Sequence, residues 1–497
     1  MAIALIERAH AHVERAALID DAGRWSYGEL LDHSARAAGV LLDGSADLDG
    51  ARVAFLVPPG LAHVQTQWGV WRAGGVVVPL CAMHPPPELG YVIDDSDATI
   101  VVAHPQHAQE LRPLAQERGL RFVLTTELDA PGEVTLPDVA PERNAMLIYT
   151  SGTTGKPKGA VTTHAIVAAQ IGSIVQAWEW TCEDHILHVL PLHHLHGILN
   201  VLCSAMWSGA TCEFLPRFDA EATWARIADS QDLTLFMAVP TVYARLTATY
   251  TAANEARRAR MGAGCQRLRL MVCGSAALPL ATLEAWRQLS GHTLLERYGM
   301  TEIGMGLGNP LHGERRAGYV GQPFPGVELR LRTDDAAQPE AGGAGEIQVR
   351  GPSIFKEYWR RPEATAEVFT DDGWFRTGDI AVLEDGSYRI LGRSSVDILK
   401  TGGFKVSAIE IENVLRTHDA IAECAVVGIE DAEWGQRVAC AAILEQGASL
   451  TLEQLRAWGK ERLAVYKVPT LLKTLEVLPR NPMGKVQKPQ IAQLFAP

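Results

Sequence analysis

Short apolar runs alternate with amphipathic stretches along the first part of the chain. Residues 51–57, 75–80 and 98–103 are short, apolar and rich in β-branched side chains, which predicts buried strands. Residues 58–60, Pro-Pro-Gly, end the first run with a strong turn signal. Helical periodicity lies between the runs, and Ser26 is the predicted N-cap of one helix. This alternation predicts a mostly parallel α/β sheet.

The same alternation continues to about residue 330. The predicted elements are strands at 186–190, 210–215 and 268–273, and helices near Trp224, from Pro240 or Thr241, and near Leu283. From residue 327 to 349 the pattern changes to a period of two with Gly and Pro turns, which predicts a small β-rich portion. Residues 336–345 are rich in Gly, Ala and Pro and are expected to form a surface loop.

A domain boundary is predicted near residue 394. Residues 388–391 have the composition of a strand, and the short polar joint 392–395 follows them. About one hundred residues follow the joint, which is enough for a compact lobe. We therefore expect an α/β protein with a large N-terminal domain over 1–393, a hinge at 394–395 and a small mobile α/β lid over 396–497.

Composition and charge exclude several classes of function. The net charge of −13 gives a nucleic-acid partner no support, and a large anion would need a locally positive site. No apolar run is long enough to span a membrane, and the first residues reach a charge pair too early for a secretory signal. The eight cysteines are scattered without a Cys-x-x-Cys pair. We expect a cytoplasmic protein with reduced thiols and no obligatory protein partner.

The densest cluster of candidate chemistry is at residues 149–159, Tyr-Thr-Ser-Gly-Thr-Thr-Gly-Lys-Pro-Lys-Gly, which follows a buried apolar run. Glycines allow close backbone approach, and hydroxyl and lysine side chains add donors and positive charge, a combination that suits a polyphosphate. The spacing is not that of a Walker A loop, because Pro157 follows Lys156. The predicted phosphate-binding residues are Thr150, Ser151, Gly152, Thr153, Thr154, Gly155 and Lys158.

This stretch resembles the phosphate loop of the adenylate-forming enzymes, which include the acyl-CoA and aryl-CoA synthetases. A second segment, residues 296–302 (Glu-Arg-Tyr-Gly-Met-Thr-Glu), is similar to the Tyr-Gly-x-Thr-Glu pattern of the same family. The resemblance implies that Thr301 contacts the α-phosphate of ATP, that Glu302 holds Mg²⁺ and that Tyr298 stacks on adenine. The remaining nucleotide-site residues of these segments are Glu296, Arg297 and Gly299.

Two further segments carry the resemblance. Residues 274–278, Gly-Ser-Ala-Ala-Leu, follow a predicted strand and are expected to open a helix, so that a flat ring lies against the backbone. In the family this segment is a wall of the adenine and acyl pocket, which implicates Gly274, Ser275 and Ala276. Asp379, expected on a tight turn, matches the family's ribose-binding aspartate, and Arg393 matches a nucleotide-contacting arginine.

The C-terminal residues 479–488 resemble the family's catalytic-lysine segment, which makes Lys485 the predicted bridge between the α-phosphate and the reacting carboxylate. The resemblance implies two half-reactions. A carboxylate first reacts with ATP to give an acyl-adenylate and pyrophosphate, and a thiol of coenzyme A then displaces AMP after the lid rotates. The implied thioester face of the lid comprises Lys400, Gly402, Gly403 and Lys405, and the implied hinge residues are Ser394 and Ser395.

The acid is indicated by the acyl-pocket segments. A cation in this pocket would need a partner, and a second substrate carboxylate supplies one. We therefore expect Arg245 to bind the distal carboxylate of a short dicarboxylic acid, assisted by His196 and Ser275. Three segments around Arg245, Thr301 and Lys485 together resemble malonyl-CoA synthetases. Methylmalonate differs from malonate by one methyl group, a contact worth only ~1–3 kcal/mol, so it stays open as a second substrate.

Alternatives remain at this point. The chain could activate another short, medium or aryl acid, which a panel of carboxylates would reveal. It could instead be an inactive module that binds nucleotide or coenzyme A, although the presence of Lys485, Glu302 and Asp379 argues against this. Arg245 could also be a helix-surface residue paired with an acidic neighbour.

Overall fold

The computed structural model describes residues 3–130, 132, 134–150, 156–333, 337–340, 342–401, 404–431, 434–481 and 484–495. The chain divides into two compact units, and neither is continuous in sequence. The first comprises Met1–Arg316, Gln322–Glu328 and Val349–Phe375, and the second comprises Ala317–Gly321, Leu329–Gln348 and Arg376–Pro497. The hinge expected at 394–395 lies inside the second unit, and its role in motion stays a prediction.

The helices are distributed over both units. In chain order they are α1 Ala4–Ala9, α2 Tyr27–Leu42, α3 Leu61–Arg72, α4 Pro86–Asp95, α5 Ala108–Glu117, α6 His164–Trp178, α7 Ser204–Ser208, α8 Ala220–Asp229, α9 Pro240–Ala252, α10 Glu255–Arg267, α11 Leu280–Ser290, α12 Pro362–Val368, α13 Ala408–Leu415, α14 Leu452–Lys460 and α15 Lys488–Leu494. Residues His196–Cys203 form a π-helix, a rare element that is often found at functional sites. Short 3₁₀ helices occur at His10–His12, Pro105–His107, Thr125–Glu127 and Val465–Lys467.

The strands form two sheets in each unit. In chain order they are β1 Ala16–Asp20, β2 Gly23–Ser26, β3 Arg52–Leu56, β4 Val76–Pro79, β5 Ala98–Ala103, β6 Arg121–Leu124, β7 Asn144–Thr150, β8 Lys158–Thr163, β9 His185–His188, β10 Thr211–Phe214, β11 Leu235–Ala238, β12 Leu270–Cys273, β13 Leu295–Met300, β14 Gly304–Gly308, β15 Gln322–Pro323, β16 Glu328–Arg332, β17 Gly345–Arg350, β18 Glu357–Tyr358, β19 Phe375–Glu384, β20 Ser387–Arg393, β21 Ile398–Thr401, β22 Phe404–Ser407, β23 Ile421–Asp431, β24 Gly435–Leu444 and β25 Leu471–Thr474.

The first unit is built on two mostly parallel sheets. One has the order β15-β14-β13-β12-β11-β9-β10-β1-β2, and its inner strands, from β13 to β1, run parallel. The other has the order β18-β8-β7-β4-β3-β5-β6, and β7, β4, β3, β5 and β6 run parallel. The predicted α/β class is therefore confirmed.

Burial on both faces explains why these strands are continuous apolar runs. In β12, Leu270 and Val272 belong to a core that residues of both sheets share, whereas Met271 and Cys273 pack on the opposite face with the α8, α9 and α11 side chains. Parallel sheets covered on both faces have this uninterrupted hydrophobic pattern. The pattern therefore reports the environment of each strand and not a propensity alone.

The second unit combines the predicted β-rich portion with the C-terminal lobe. Strands β16-β17-β19-β20 form one sheet, and β22-β21-β24-β23 form another, in which β25 pairs in parallel with β24. A core on the C-terminal sheet contains Ile411, Val426 and Leu455, so α13 and α14 pack against it. The β-rich portion was expected to belong to the N-terminal domain, because it precedes the hinge in sequence. By its contacts it belongs with the C-terminal lobe.

Several local predictions can be compared with the structure. Ser26 caps α2 and forms a capping box, because its hydroxyl accepts from the Glu29 amide at 3.1 Å and the Glu29 carboxylate accepts from the Ser26 amide at 2.7 Å. Helix α9 begins at Pro240, as predicted. Two predictions were wrong in detail. Asp379 lies inside β19 and not on a turn, and the segment after Cys273 is a loop, with α11 beginning only at Leu280.

The state of the cysteines and the apolar character of the helices also bear on the sequence expectations. All eight cysteines are free, and all except Cys182 are buried. Within the described part of the chain, no helix combines the length and apolar character needed to cross a bilayer.

Candidate active site

Candidate residues of the first unit gather at one edge of its first sheet. Strands β9, β11, β12 and β13 are parallel neighbours, so their carboxyl ends meet at this edge. The register places Ala238 beside Cys273, and Cys273 beside Glu296. The segments that follow β9 and β12 carry His196 and Ser275, and Arg297 lies within β13. Ligands of α/β sheets bind at such an edge, outside the carboxyl ends of the strands.

The structure brings three of these side chains into one hydrogen-bonded chain. Arg297 Nη2 donates to Ser275 Oγ at 3.3 Å, and Ser275 Oγ lies 3.2 Å from His196 Nδ1. Arg297 is only 4% exposed, and His196 is also buried. No carboxylate pairs with Arg297 among the residues that the structure describes. A buried guanidinium without an anionic partner is unfavourable, so this cluster is prepared for an anion.

The hydrogen bonds of the cluster indicate which of its atoms can donate. A guanidinium has only N–H donors, so Ser275 Oγ accepts from Arg297. When the Ser275 hydroxyl donates its own proton to His196 Nδ1, the proton of neutral His196 is on Nε2. Both His196 Nε2 and Arg297 Nε are buried without a hydrogen-bond partner in the described structure. The cluster therefore offers two N–H donors and one positive charge, which match the two acceptor oxygens of a carboxylate.

Burial shifts the pKa values of the cluster in the expected directions. The pKa of Arg297 falls to about 10 because burial penalises the charged form. Burial, and then the charge of Arg297, lowers the pKa of His196 well below its ordinary value. At neutral pH the guanidinium is therefore charged and the imidazole is neutral, so the anion would find one cation and one neutral donor.

The backbone before Ser275 is shaped by Arg297. A Cβ atom at Gly274 would lie 2.5 Å from Arg297 Nε and 2.7 Å from Cζ, so only glycine allows the guanidinium to pack here. Ser275 itself has φ = +71°, a left-handed conformation that is uncommon for a residue with a side chain. Strain of this kind is concentrated at functional sites, where it aims a side chain. Here it aims the hydroxyl between Arg297 and His196.

Glu296, predicted to line the nucleotide site, is buried near the start of β13. Its Oε1 accepts from the Leu278 amide at 3.3 Å, and its Oε2 has no partner in the described structure. Burial raises the pKa of Glu296 to about 7. The carboxyl group is therefore close to half protonated at neutral pH, and it forms no ion pair with Arg297 in the described structure.

The β13–β14 hairpin presents the other predicted nucleotide residues. Tyr298 and Gly299 lie in β13, and half-buried Thr301 follows in the turn. A Cβ at Gly299 would lie 2.2 Å from the Gly304 carbonyl oxygen, and Gly304 has φ = +68°. The tight hairpin therefore depends on both glycines, and it places Thr301 and Glu302 at its tip.

Tyr358 joins the hairpin to the phosphate loop. Its hydroxyl donates to Glu302 Oε1 at 2.8 Å, and the Lys158 ammonium lies 5.1 Å from the centre of its ring. Strand β18 pairs with β8, with Tyr358 opposite Ala160, which places the ring beside Lys158. Through Tyr358, the buried Glu302 carboxylate is therefore linked to Lys158, a predicted phosphate-binding residue. One carboxylate with phosphate oxygens suits Mg²⁺ that arrives with ATP.

Helix α4 anchors both ends of the phosphate loop. The Tyr149 hydroxyl donates to Asp95 Oδ2 at 2.9 Å, and the Tyr91 hydroxyl donates to the Pro157 carbonyl at 2.7 Å. At the end of β7, the Thr150 hydroxyl lies 3.4 Å from the Lys158 carbonyl oxygen. The other predicted phosphate-binding residues lie outside the described part of the chain: Ser151, Gly152, Thr153, Thr154 and Gly155.

Arg245 and Ala276 stand apart from the hydrogen-bonded cluster. Arg245 lies in the second turn of α9, and its side chain is exposed. It has no salt bridge or hydrogen bond in the described structure, so the alternative of a helix-surface ion pair has no support. Ala276 is also exposed, in the loop after Ser275.

In the second unit, Asp379 and Arg393 face each other across β19 and β20. Arg393 Nε donates to Asp379 Oδ1 at 3.1 Å, and Arg393 Nη2 donates to the Thr377 carbonyl at 3.1 Å. Gly378 has φ = +72°, and its amide donates to Glu346 Oε1 at 3.1 Å. The ion pair explains the proximity of the two predicted nucleotide residues, and a glycine kink within the strand replaces the expected turn.

The predicted lysines of the second unit lie on its surface. Lys485 is exposed on a loop where its amide donates to Asn481 Oδ1 at 2.9 Å. Lys400 is exposed on β21, which forms a hairpin with β22. Ser394 and Ser395 are exposed in the turn after β20. Gly402, Gly403 and the Lys405 side chain lie outside what the structure describes.

Two models of known protein families match this chain. Residues 5–359 match the model of the AMP-binding enzymes, and residues 410–485 match the model of the AMP-binding enzyme C-terminal domain. The chain belongs to the AMP-binding enzymes. The predicted membership of the adenylate-forming family is thereby confirmed, and so is the predicted class of AMP-forming acyl-CoA ligase.

Individual relatives of this AMP-binding enzyme match it over nearly its whole length. A curated relative from Xenopus laevis, "Malonate--CoA ligase ACSF3, mitochondrial", is 44% identical, covering 100% of this chain and 92% of the relative. A solved structure of ATP-bound MatB from Rhodopseudomonas palustris has a TM-score of 0.91 and 32% identity, covering 100% of this chain and 99% of that chain. A solved malonyl-CoA ligase ternary product complex with methylmalonyl-CoA and AMP bound has a TM-score of 0.69 and 36% identity. The match covers 94% of this chain and 97% of that chain.

Sequence reasoning missed three contributions to the site. Tyr358 lies in a two-residue strand that no periodicity marks, and its role depends on pairing with β8. Tyr91 and Asp95 lie on α4, far in sequence from the loop that they anchor. In addition, the sequence did not indicate that Arg297, predicted as a nucleotide residue, would form a hydrogen bond to Ser275 and lie in one chain with His196.

Proposed function

We propose that this enzyme is a malonate–CoA ligase. A malonate carboxylate attacks the α-phosphorus of ATP, and the bond to the β-phosphate breaks to release pyrophosphate. The thiol of coenzyme A then attacks the malonyl-adenylate carbonyl, loses its proton and displaces AMP. The products are malonyl-CoA, AMP and pyrophosphate. ATP, Mg²⁺ and coenzyme A are small-molecule partners, and we expect no nucleic-acid, membrane or obligatory protein partner.

The observation that carries the proposal is the buried Arg297 without an anionic partner in the described structure. The reacting carboxylate of any acid must approach ATP, so an additional cation in the acyl pocket favours an acid with a second carboxylate. The unpartnered Arg297 Nε and His196 Nε2 would bind its two oxygens. Exposed Arg245, at the same sheet edge after β11, would add a second guanidinium. An uncharged fatty tail would leave all these groups unsatisfied.

Methylmalonate is a second candidate substrate. The solved relative with bound methylmalonyl-CoA and AMP shows that one malonyl-CoA ligase accommodates the extra methyl group. A carboxylate clamp recognises the charge and not the α-substituent, so one methyl group changes the binding free energy by only ~1–3 kcal/mol. We therefore expect turnover of methylmalonate, with malonate preferred.

The residues around ATP have distinct proposed roles. Lys158, with Thr150, Ser151, Thr153 and Thr154, would bind the β- and γ-phosphates that leave as pyrophosphate. Glu302 would hold the Mg²⁺ that accompanies ATP, and Thr301 would contact the α-phosphate. These groups offset negative charge in the transition state for phosphoryl transfer.

The second unit would supply the mobile groups. Lys485 would bridge the α-phosphate and the reacting carboxylate in the first half-reaction, and Asp379 would accept hydrogen bonds from the ribose. The Lys400–Lys405 face would approach coenzyme A in the second half-reaction. Rotation at Ser394 or Ser395 would exchange the two arrangements.

A carboxylate panel tests the proposal. Malonate, methylmalonate, succinate, acetate, octanoate and benzoate are compared by acid-dependent pyrophosphate release with ATP, Mg²⁺ and coenzyme A. Malonate should have the highest kcat/KM. Faster turnover of acetate or benzoate would support a ligase for another short or aryl acid. Nucleotide binding without turnover of any acid would support an inactive binding module.

Arg245 provides a residue-specific test. Arg245→Ala should raise the KM for malonate at least tenfold while the KM for ATP changes less than twofold, because the lost guanidinium contacts only the distal carboxylate. Exposed Arg258 on neighbouring α10 is a matched control, and Arg258→Ala should leave both constants unchanged. An unchanged malonate KM in Arg245→Ala would refute the second-cation role.

The compartment remains a prediction. We propose a cytoplasmic location, whereas the name of the Xenopus relative includes the word mitochondrial. Subcellular fractionation of the native source with an antibody against this chain distinguishes the two.

A further inference from the structure

A buried lysine near the C-terminus has no role in the chemistry proposed above. Lys488 is the first residue of α15, three positions after Lys485. Its ammonium lies 2.5 Å from Asp397 Oδ1 and 2.7 Å from Glu412 Oε1, and its side chain is only 11% exposed. Burial would lower the pKa of Lys488, but the two carboxylates outweigh it and raise the pKa overall. Lys488 is therefore a charged, buried bridge.

The first partner, Asp397, controls the turn that contains the proposed hinge. Asp397 Oδ2 accepts from the Arg393 amide at 3.0 Å, and the Asp397 amide donates to the Arg393 carbonyl at 2.7 Å. The Asp397 carbonyl accepts from the Ala408 amide at 2.7 Å, at the start of α13. Ser394 and Ser395 lie inside the loop that these bonds close. The conformation of the turn therefore depends on where the Asp397 side chain is held.

Gly392 shows how closely Asp397 is packed. A Cβ atom at Gly392 would lie 2.3 Å from Asp397 Cβ, and Gly392 has φ = +130°. The strand that leads into the turn thus passes directly against the aspartate. A residue with a side chain at position 392 would therefore displace Asp397.

The second partner, Glu412, ties the bridge to the body of the lobe. Glu412 lies on α13, and its Oε1 also accepts from the Val426 amide in β23 at 2.8 Å. Arg416 lies 3.4 Å from Glu412 Oε2. The four side chains Asp397, Lys488, Glu412 and Arg416 carry two negative and two positive charges, so the network is neutral. A buried ionic group that loses one partner leaves an uncompensated charge and is strongly destabilised.

Lys488 is also close in the chain to the Lys485 loop. Lys485 and Asn481 exchange two hydrogen bonds, with the Asn481 amide donating to the Lys485 carbonyl at 2.9 Å. The Gln487 amide donates to the Pro479 carbonyl at 2.8 Å and closes the base of this loop. The next residue is Lys488. The base of the catalytic-lysine loop is therefore fixed to the lobe through the Lys488 ion pairs.

We propose that Lys488 is a positioning residue that ties Asp397, at the end of the hinge turn, and the base of the Lys485 loop to α13, so that a single buried side chain serves both half-reactions. The proposal rests on the proposed function, which assigns adenylation to Lys485 and rotation to the Ser394–Ser395 turn. Lys488 contacts neither substrate nor the reacting atoms in this role. Its loss frees Asp397 on one side and the loop base on the other.

The test measures the two half-reactions separately in Lys488→Met and Lys488→Arg. Malonate-dependent ATP–pyrophosphate exchange reports the first, and malonyl-CoA formation from supplied malonyl-adenylate reports the second. Lys488→Met should lower kcat for both at least tenfold, with KM for malonate and ATP within twofold of wild type. Lys488→Arg should recover most of both rates. Hydrogen exchange of the 393–397 amides should quicken in Lys488→Met and return in Lys488→Arg.

Two controls separate positioning from general destabilisation. Lys467 forms an ion pair with Glu410 at 2.6 Å in the same lobe and is not part of the Asp397–Lys488–Glu412 ion pairs, so Lys467→Met should keep both rates within twofold. Lys485→Ala should lose exchange but retain thioester formation. If Lys488→Met does not fold, Asp397→Asn removes one charge and keeps an acceptor for the Arg393 amide, and it should show the same double loss to a smaller degree.

Three outcomes would overturn the proposal. They are loss of exchange alone in Lys488→Met, equal losses in Lys488→Met and Lys467→Met, and loss that Lys488→Arg does not recover. If the wild type does not use malonate, the proposed function fails on its own, and the half-reactions are then measured with the best acid of the panel.

Discussion

Replacing Arg297 by methionine should make the substrate-free enzyme more stable and less active. Arg297 is buried, its Nε has no hydrogen-bond partner in the described structure, and no described carboxylate neutralises it. Methionine has a similar length and no charge, and its flexible chain can follow the same path over Gly274. The substitution therefore removes an unsatisfied charge without opening a large cavity.

The magnitude follows from the pKa. Burial lowers the pKa of Arg297 to about 10, so the folded state disfavours the charged form at every pH below that value. The fall corresponds to about 3 kcal/mol, since each tenfold change in the proton equilibrium is ~1.4 kcal/mol. The lost hydrogen bond to Ser275 costs about 1 kcal/mol. The free energy of unfolding should therefore rise by about 2 kcal/mol.

Activity should change in the opposite direction. Losing a buried charge-assisted partner of a carboxylate costs about 2–5 kcal/mol. At 1.4 kcal/mol per factor of ten, kcat/KM for malonate should fall by roughly 30-fold to several thousand-fold. Acetate has no distal carboxylate, so its kcat/KM should not fall and should exceed that of malonate in the variant.

The assay combines urea unfolding without substrate with steady-state kinetics on malonate and acetate. Arg315 is the matched control, because it is also partly buried but its guanidinium donates to backbone carbonyls, including Thr293 at 2.7 Å and Leu311 at 3.1 Å. Arg315→Met should lower stability and keep the malonate-to-acetate ratio. The reasoning is refuted if Arg297→Met is less stable than wild type, or if that ratio stays unchanged.

Two other predictions concern neighbouring groups. Tyr358→Phe removes the hydroxyl donor to Glu302 but keeps the ring beside Lys158. Because a hydrogen bond to a charged group is worth ~1–3 kcal/mol, kcat/KM for MgATP should fall about 5–100-fold. An unchanged dependence of activity on Mg²⁺ concentration would contradict the proposed position of the metal. Glu296, with its pKa raised to about 7, stays protonated in the folded state while the unfolded state ionises, so wild-type stability should fall between about pH 4.5 and 7. Glu296→Gln should lack this fall, and its stability relative to wild type should rise by about 3 kcal/mol over that range; parallel urea midpoints from pH 5 to 7.5 would show the carboxyl to be ordinary.

Much of the fold could be predicted because the first unit buries its sheets on both faces. Strands such as β3, β5 and β12 are uninterrupted apolar runs for this reason, and their existence follows from composition and length alone. The N-cap at Ser26 and the start of α9 at Pro240 were equally local signals. The position of Asp379 was not local, since its strand is identified by pairing with β20 across a glycine kink.

The candidate site also contains residues that nearby sequence predicts and residues that only tertiary contacts bring together. The residues predicted to bind phosphate lie together in one segment of the sequence, so the sequence alone is enough to predict them. The hydrogen-bonded cluster of His196, Ser275 and Arg297 could not be predicted in this way. These residues are far apart in sequence and meet only because β9, β11, β12 and β13 form one parallel sheet. Tyr358 reaches Glu302 through the pairing of β18 with β8, which has no sequence signal.

The sequence by itself therefore determined the fold class and the family, and it predicted one phosphate-binding segment, because each of these depends on the order of nearby residues. Only the tertiary structure decided which side chains complete one another: Arg297 with Ser275 and His196, and Lys488 with Asp397 and Glu412. The first set forms between segments that the parallel sheet of the first unit brings together, and the second forms between segments of the C-terminal lobe that are distant in sequence. Hydrogen bonds and charge pairs depend on distance in space, and periodicity along the chain contains no information about it.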